Sequence, residues 1–236
     1  MTRKKHRPDR PTSQPAALDG TGEANGTLRV IGGTLRGRPI AYSGDVRTRP
    51  MKQRVREAAF NLVGGDVRGK AVVDLFAGTG ALSWEALSRG ALEALLLERH
   101  FPTARMIREN ATALQLADRI QVVPGDAFIW GKRLARGEVT FAPSRPWLVF
   151  CSPPYELYVT HESEMLTLIH QVMNAAPADS VFVVEADERF EMAKLTSQCD
   201  WLVRAYPPAV LAIGRYFQSR SDIEPEGDVS GLSTSH

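Results

Sequence analysis

The sequence predicts an α/β protein with a largely parallel sheet, preceded by a small basic extension. From residue 69 onward, short apolar runs alternate with amphipathic segments of helical length, the pattern of repeated strand–helix–strand units. Before that point lie two short alternating segments and one amphipathic helix, all rich in arginine. We therefore expect one sheet domain, residues 69–217, with a basic hairpin and helix, residues 28–68, in front of it.

The composition is that of an ordinary globular protein. The chain has 236 residues, 43% hydrophobic and 24% charged, which is enough for a sizeable buried core. No apolar run approaches the roughly 18 residues that a membrane span needs, and the basic start MTRKKHRPDR lacks an apolar signal core. Cys151 and Cys199 are too few for a zinc cluster or a disulfide framework. We expect a cytoplasmic monomer with no metal and both cysteines in the core.

Both ends of the chain are polar and rich in turn-forming residues. Residues 1–27 and 218–236 contain few large apolar side chains, so burial cannot repay the entropy lost on ordering them. We expect a disordered basic arm at the beginning and a disordered tail at the end.

The extension is predicted as a hairpin followed by a helix. LRVIGG and GRPIAY alternate in polarity and are joined by glycines, which favours two short strands. RPMKQRVREAAFNLV places apolar residues at helical spacing, with Pro50 at its start and Gly64-Gly65 at its end. Its other face carries Lys52, Arg54 and Arg56.

Positive charge is concentrated in this extension although the net charge is only +2. Between residues 29 and 56 the only acid is Asp45, whereas the basic residues there are Arg29, Arg36, Arg38, Arg47, Arg49, Lys52, Arg54 and Arg56. Such a cluster is typical of a face that binds phosphates. An ordinary solvated basic surface explains the charge alone equally well.

The predicted strands of the domain are AVVDLFAG, ALEALLLE, RIQVVPG, PWLVFCS and SVFVVEA, followed by an antiparallel pair from WLVRAYPPAVLAIGRYF. The helices between them are ALSWEALSRG, PTARMIRENATAL and SEMLTLIHQVMNAA. ALEALLLE has helical propensity, and only its place in the alternation makes it a strand.

A glycine loop, DLFAGTG from Asp74 to Gly80, separates the first strand of the domain from a helix. Ligands of open parallel sheets bind beyond the carboxyl ends of the strands, where Gly78 and Gly80 permit close approach. A dinucleotide fingerprint requires a third small residue, Gly or Ala, where this chain has Ser83. A pyrophosphate ligand is therefore disfavoured.

Acidic residues follow the next two strands. Glu98 ends the second strand, where a carboxylate can accept hydrogen bonds from both hydroxyls of a ribose. Asp126 follows the third strand and could accept from an adenine amino group. With the loop, they indicate an adenosine ligand without a phosphate requirement, which points to S-adenosylmethionine. The alternative is that both merely cap loops or helices.

The segment FCSPPYELY raises the question of why an apolar run ends in two prolines. Pro153 and Pro154 donate no backbone hydrogen bond, so the strand must leave the sheet there. The Ser152 hydroxyl or carbonyl and the Pro153 carbonyl could accept from an exocyclic amine, while Tyr155 stacks on its base. A simple strand exit with Tyr155 as a packing residue is the alternative.

Four segments follow one another in a characteristic order and spacing: LRVIGGTLRGRPI, RPMKQRVREAAFNLV, DLFAGTGALSWEALSRGA and SPPY. In combination they make residues 28–158 resemble the bacterial 16S rRNA guanine-N2-methyltransferases. The resemblance implies a class I methyltransferase, Rossmann-like fold: a seven-stranded sheet with helices on both faces. It also implies methyl transfer to the N2 amine of a guanine in small-subunit ribosomal RNA, free or in the assembling subunit.

The resemblance also implies roles for individual residues. The methionine end of S-adenosylmethionine would meet Asp74, Phe76, Gly78 and Gly80; Glu98 would hold the ribose; Asp126 and Ala127 would meet the adenine. The catalytic motif would be Ser152, Pro153, Pro154 and Tyr155. RNA phosphates would contact Arg29, Arg36, Arg38, Arg49 and Arg54, a role assigned more by charge than by motif.

The sequence departs from the family pattern at three places. Ser152 stands where the motif begins with Asp or Asn, Met51 follows Arg49-Pro50 where RPT is usual, and Tyr206-Pro207-Pro208 replaces an aromatic-glycine pair. A catalytically idle RNA-binding or assembly factor, and a methyltransferase acting on DNA or a protein amide, are therefore alternatives.

Overall fold

The computed structural model describes residues 27–42, 44 and 50–216. The predicted arm, except for Thr27, and the predicted tail lie outside these residues. Arg47 and Arg49 of the basic cluster also lie outside them.

Nine strands and six α-helices make up the described part of the chain. The strands are β1 Thr27–Arg29, β2 Pro39–Ala41, β3 Ala71–Asp74, β4 Glu93–Glu98, β5 Ile120–Pro124, β6 Trp147–Cys151, β7 Val181–Asp187, β8 Cys199–Tyr206 and β9 Ala209–Tyr216. The helices are α1 Gln53–Val63, α2 Ala81–Ser88, α3 Phe101–Ala113, α4 Ala127–Ala135, α5 Leu157–Thr160 and α6 Glu162–Ala175.

A seven-stranded sheet in the order β5-β4-β3-β6-β7-β9-β8 forms the centre of the protein. β3 pairs in parallel with both β4 and β6, and β9 runs antiparallel between β7 and β8. The carboxyl ends of β3 to β7 therefore lie at one edge of the sheet. The predicted seven strands, including the final antiparallel pair, are confirmed.

Helices cover both faces of the sheet, as the sequence predicts. One apolar core contains residues of α1, α2, α3 and the β1–β2 hairpin, including Phe60 and Trp84. The core on the other face contains residues of α4, α5 and α6, together with both cysteines. Alternate residues of β3 separate between the two cores, Val72 to the first and Val73 to the second. Every residue of this central strand is therefore buried, and the continuous apolar run in the sequence follows from that position.

The hairpin extension is attached to α2 by a buried carboxylate. Glu85 is fully buried; its two oxygens accept from the backbone N–H groups of Ile31 at 2.7 Å and Gly32 at 2.8 Å. The same carboxylate accepts from the guanidinium of Arg89 at 2.7 Å. Gly33, with φ +75°, lies so close to α2 that a Cβ would be 2.0 Å from the carbonyl oxygen of Ser88. The close approach therefore requires glycine there.

Arg56 corrects one expectation from the sequence. The helix pattern places it on the basic face with Lys52 and Arg54, away from the apolar side, but it is 1% exposed. Its guanidinium donates to the carbonyl oxygens of Met51 at 3.3 Å and Arg29 at 3.1 Å. The hairpin covers this side of α1, and the helical pattern alone gives no sign of that contact.

No helix in the described part of the chain is both long and apolar enough to cross a bilayer.

Replacing Glu85 with alanine is expected to lower the free energy of unfolding by about 3 kcal/mol. The substitution leaves two backbone donors without their acceptor and Arg89 without its partner in a buried setting. Denaturant unfolding followed by circular dichroism measures the change. Glu138→Ala is the matched control because Glu138 lies on the surface in exposed ion pairs, and it should change stability little. Equal stability of the two variants would contradict this role of Glu85.

Candidate active site

Five neighbouring strands bring their polar residues to one edge of the sheet. β3 ends at Asp74, β4 ends at Glu98, and Asp126 follows β5 by two residues. Ser152 follows β6 directly, and Glu185 lies near the end of β7. Because the five strands run in parallel, these side chains occupy adjacent positions along a single crevice edge. The sequence-predicted carboxylates and the proline motif thus share one side of the molecule.

The glycine loop is held by the end of β4. Ala77 N–H donates to the Leu97 carbonyl at 2.9 Å, and Gly78 N–H donates to Glu98 Oε2 at 2.9 Å. Gly80, at φ +74°, precedes α2. A Cβ on Gly80 would lie 2.8 Å from Nε1 of the buried Trp84, whose indole donates to the Thr79 carbonyl. Packing inside the fold is therefore enough to require glycine at position 80.

Asp74 is a buried carboxyl group at the base of this loop. It is 1% exposed, and its Oδ2 accepts from the Ser83 hydroxyl at 2.8 Å. Its Oδ1 is buried without a hydrogen-bond partner among the described residues. The pKa of Asp74 is raised to about 7, mainly by burial. The negative charge of Glu98 acts in the same direction, whereas the Ser83 hydroxyl and the Phe76 N–H act in the opposite direction. The group therefore titrates near neutral pH.

Glu98 and Asp126 both carry out local structural tasks. Glu98 accepts from Gly78 N–H and from His100 N–H at 2.7 Å, while Asp126 Oδ1 caps α4 by accepting from Phe128 N–H at 2.7 Å. The capping alternative is thus realised for both residues. Each carboxylate oxygen has two lone pairs, and both side chains are partly exposed, so both retain acceptor capacity at the edge.

The residues beside Asp126 form an aromatic border. Ala127 is buried, whereas Phe128 is half-buried and meets Phe76 of the glycine loop edge-on, with ring centroids 6.1 Å apart. α4 itself, Ala127–Ala135, is a helix that the sequence analysis left out. Its start is marked in the sequence by the capping residue Asp126.

The proline motif leaves the sheet, as its residue types predict, and then turns into the short helix α5. The Pro154 carbonyl accepts from Leu157 N–H at 2.9 Å, and the Tyr155 carbonyl accepts from Tyr158 N–H at 3.0 Å. Pro153 is buried and Pro154 is exposed. The carbonyl of Pro153 accepts no backbone hydrogen bond in the described part of the chain.

Glu185 is the polar residue that sequence reasoning missed. It is 5% exposed; Oε2 accepts from the Ser152 hydroxyl and Oε1 accepts from the Tyr155 hydroxyl at 2.7 Å. Burial raises the pKa of Glu185, and the two hydroxyl donors oppose that shift. Burial also raises the pKa of Tyr155, and the nearby Glu185 charge adds to the effect. The only sign in the sequence is one acid inside the apolar run VFVVEA.

The predicted RNA-contacting arginines are divided between two ends of the molecule. Arg38 donates to the Ala113 carbonyl at the end of α3, while Arg36 is exposed in the loop whose neighbours contact the end of α2. Those helix ends are remote from the strand edge that carries the site. Arg54, in contrast, donates to the Pro207 carbonyl in the β8–β9 turn, which adjoins the carboxyl end of β7. Arg29 is exposed and donates to the Gly37 carbonyl at 2.9 Å.

The sheet order and the helices on both faces define the class I methyltransferase fold. The solved structure of "Putative methyltransferase yhhF from Escherichia coli" matches with a TM-score of 0.65 at 23% identity, over 81% of this chain and 99% of that chain. A solved structure of a putative methylase from Haemophilus influenzae matches with a TM-score of 0.63 at 21% identity, over 82% of this chain and 100% of that chain.

The chain belongs to the family described as conserved hypothetical protein 95, whose model matches residues 28–205. "Putative rRNA methyltransferase YlbH" of Bacillus subtilis is 32% identical over 70% of this chain and 85% of its own length. The ribosomal RNA small subunit methyltransferase D of Escherichia coli K12 is 28% identical over 86% of this chain and 96% of its own length. The family resemblance drawn from the sequence motifs is confirmed.

The titration of Asp74 should be visible in protein stability. Its folded-state pKa of about 7 lies above the value of 3.8 for an unburied aspartate, so the folded state holds the proton more tightly. Stability from this group is complete at low pH and falls as pH rises from about 4 to about 7. Asp74→Asn removes the titration. Between about pH 4.5 and about pH 7.5 the wild type should therefore lose stability relative to Asp74→Asn. The difference between their free energies of unfolding should change by about 3 kcal/mol in favour of the variant.

Ser83→Ala provides the second measurement for Asp74. Loss of the Ser83 donor should raise the pKa of Asp74 further and extend the stability decline to higher pH. A constant difference between wild type and Asp74→Asn across this pH range would show that Asp74 does not titrate there.

Proposed function

We propose that this protein transfers a methyl group from S-adenosylmethionine to the exocyclic N2 amine of a guanine in 16S ribosomal RNA. The observation that carries the proposal is the position of Ser152–Tyr155 beside the acidic strand ends, at one edge of a class I methyltransferase sheet. Family membership supports it, because relatives along most of the chain are named as rRNA methyltransferases, one of them of the small subunit.

The residues at the edge fit an adenosine-containing donor. Glu98 has acceptor capacity left for ribose hydroxyls, and Asp126 caps α4 through Oδ1 alone, which leaves Oδ2 for an adenine amino group. The half-buried rings of Phe76 and Phe128 offer an apolar border for a flat base. Asp74, whose Oδ1 is a buried acceptor without a hydrogen-bond partner among the described residues, would meet the methionine end of the donor. We assign Gly78, Gly80 and Ala127 to the backbone that surrounds this donor.

S-adenosylmethionine, when bound, supplies a methyl group on a positively charged sulfur, and the carbon–sulfur bond breaks as the lone pair of the amine nitrogen forms the new bond. The amine on a guanine is a weak nucleophile because its lone pair is delocalised into the ring. Acceptors aimed at its hydrogens increase its reactivity. In this proposal the acceptors are the Ser152 oxygen and the Pro153 carbonyl, which accepts no backbone hydrogen bond in the described part of the chain.

Ring stacking positions the target base in this proposal. Tyr155 is half-buried and fixed by its hydrogen bond to Glu185, so its ring is preorganised to stack on a flat molecule. A guanine must be turned out of any helix to reach the motif. Pro154 is exposed beside Tyr155 and restricts the backbone at the entrance.

The basic extension serves as the RNA-binding surface in this proposal. Its exposed arginines would neutralise phosphates, which positions RNA without reading its sequence. They are Arg29, Arg36, Arg38 and Arg54, with Arg49 outside the described residues. Because the hairpin and the strand edge lie at opposite ends of α2 and α3, the RNA must extend along this face to engage both.

The deciding experiment is transfer of isotopically labelled methyl from S-adenosylmethionine to small ribosomal subunits that lack their guanine-N2 methyl groups. Digestion followed by nucleoside identification should yield labelled N2-methylguanosine. Naked 16S rRNA tested in parallel identifies which form is the substrate. A folded, donor-binding protein that labels nothing, alongside an active family enzyme on the same particles, would instead support an idle RNA-binding factor. Label in DNA or protein would indicate a different acceptor.

Arg36→Ala should weaken RNA binding without changing donor affinity. Loss of one phosphate contact is expected to reduce the magnitude of the slope of log affinity against log salt by about 1. Fluorescence anisotropy with labelled rRNA fragments over a salt series measures this slope. Arg136→Ala is the matched control, since Arg136 is also exposed but lies after α4 on the opposite face. Equal effects of both substitutions would remove the hairpin from RNA recognition.

A further inference from the structure

Glu185 links the two hydroxyl groups of the proline motif through a single buried carboxylate. Ser152 and Tyr155 each donate to a different oxygen of Glu185. A hydroxyl that donates its only hydrogen in one direction presents its lone pairs in others. Both hydroxyl oxygens are thereby oriented as acceptors, and Ser152 lies directly after β6, beside the Pro153 carbonyl.

The proposed reaction requires a group of this kind. As the bond from N2 to the methyl carbon forms and the bond from that carbon to sulfur breaks, N2 becomes positively charged and must release one proton. The Ser152 hydroxyl can accept that proton only if it passes its own hydrogen onward. Glu185 Oε2 already accepts that hydrogen.

We propose that Glu185 is a positioning residue that orients the Ser152 and Tyr155 hydroxyls and receives, through Ser152, the proton released by the target amine. This inference rests on the proposed methyl transfer. In the step, N2 gives one proton to Ser152 Oγ as Ser152 gives its own to Glu185. Ser152 is regenerated, Glu185 becomes a neutral carboxylic acid, and the methylated amine is neutral.

The surroundings of Glu185 suit a proton acceptor. Tyr155 and Tyr158 are the ionisable groups that face it from the motif and from α5, and Asp187 follows on its own strand. β9 places the apolar Leu211 opposite Glu185 in the sheet. Burial raises the pKa of Glu185, so this carboxylate is a stronger base than an exposed glutamate. No positively charged side chain is bonded to it among the described residues to hold it permanently ionised.

Glu185→Gln tests the inference by kinetics. A glutamine keeps the size of the side chain but cannot take up the proton, so kcat for N2 methylation should fall on the order of 100-fold. Donor affinity should stay unchanged. The wild-type rate should also decline at low pH, where Glu185 is protonated and cannot accept, and this decline should be absent in Glu185→Gln. Glu138→Gln, on the surface after α4, is the matched control and should behave as wild type.

Serine variants cover the case in which Glu185→Gln does not fold. Ser152→Ala interrupts the relay but keeps the Tyr155 contact, and its kcat should fall; Ser152→Thr restores the hydroxyl and should recover activity. Equal activity of Ser152→Ala and wild type would overturn the inference, as would full kcat in Glu185→Gln. Either comparison requires a wild-type protein that methylates RNA. A wild type that methylates no RNA would refute the proposed function instead.

A second readout is independent of turnover. The carboxyl carbon of Glu185, followed by NMR titration of protein labelled with ¹³C-glutamate, reports its pKa without donor or RNA. Hydroxyl donors stabilise the charged carboxylate, so Ser152→Ala and Tyr155→Phe should each raise that pKa. Unchanged titration in both variants would show that neither hydroxyl is bonded to Glu185, which would overturn its positioning role.

Discussion

The crevice edge depends on Glu98, the last residue of β4, which joins the connections that follow three of its five strands. The carboxylate of Glu98 accepts from the glycine loop at Gly78 and from His100 at the start of α3. Its backbone carbonyl accepts from Gly125 N–H at 3.1 Å, just before Asp126. Three connections that follow three adjacent strands therefore converge on a single side chain and its backbone. A ligand that donates hydrogen bonds to Glu98 would therefore bind to a carboxylate whose position is already fixed by the fold.

Much of this arrangement follows from local sequence patterns. A parallel sheet places all its strand carboxyl ends at one edge, so finding the strands already places Asp74, Glu98, Asp126 and Ser152 together. Glu185 and the burial of Arg56 could not be predicted in this way. Each depends on a contact between segments distant in sequence, Glu185 with the proline motif and Arg56 with the hairpin. Side-chain periodicity describes one element at a time and contains no information on what covers its second face.

Ser152 differs from the Asp or Asn of the family motif, but the folded protein reduces the chemical difference by placing a carboxylate beside it. Family motifs begin with a side chain that carries its own carbonyl or carboxylate oxygen, whereas Ser152 has only a hydroxyl. In the structure that hydroxyl is bonded to a carboxylate from the neighbouring strand, β7. A carboxylate, that of Glu185, therefore remains at the edge of the sheet, with the Ser152 hydroxyl between it and the target amine. The presence of serine at position 152 is therefore, by itself, poor support for a catalytically idle protein.

The packing of Trp84 against the glycine loop ties the surroundings of one tryptophan to the loop. The chain has four tryptophans; Trp84 belongs to the core under the loop, and the other three lie in or against the opposite core. The Trp84 indole is fully buried, bonded to Thr79 and in contact distance of Gly80. Trp84 is therefore the tryptophan whose surroundings are tied directly to the position of the glycine loop.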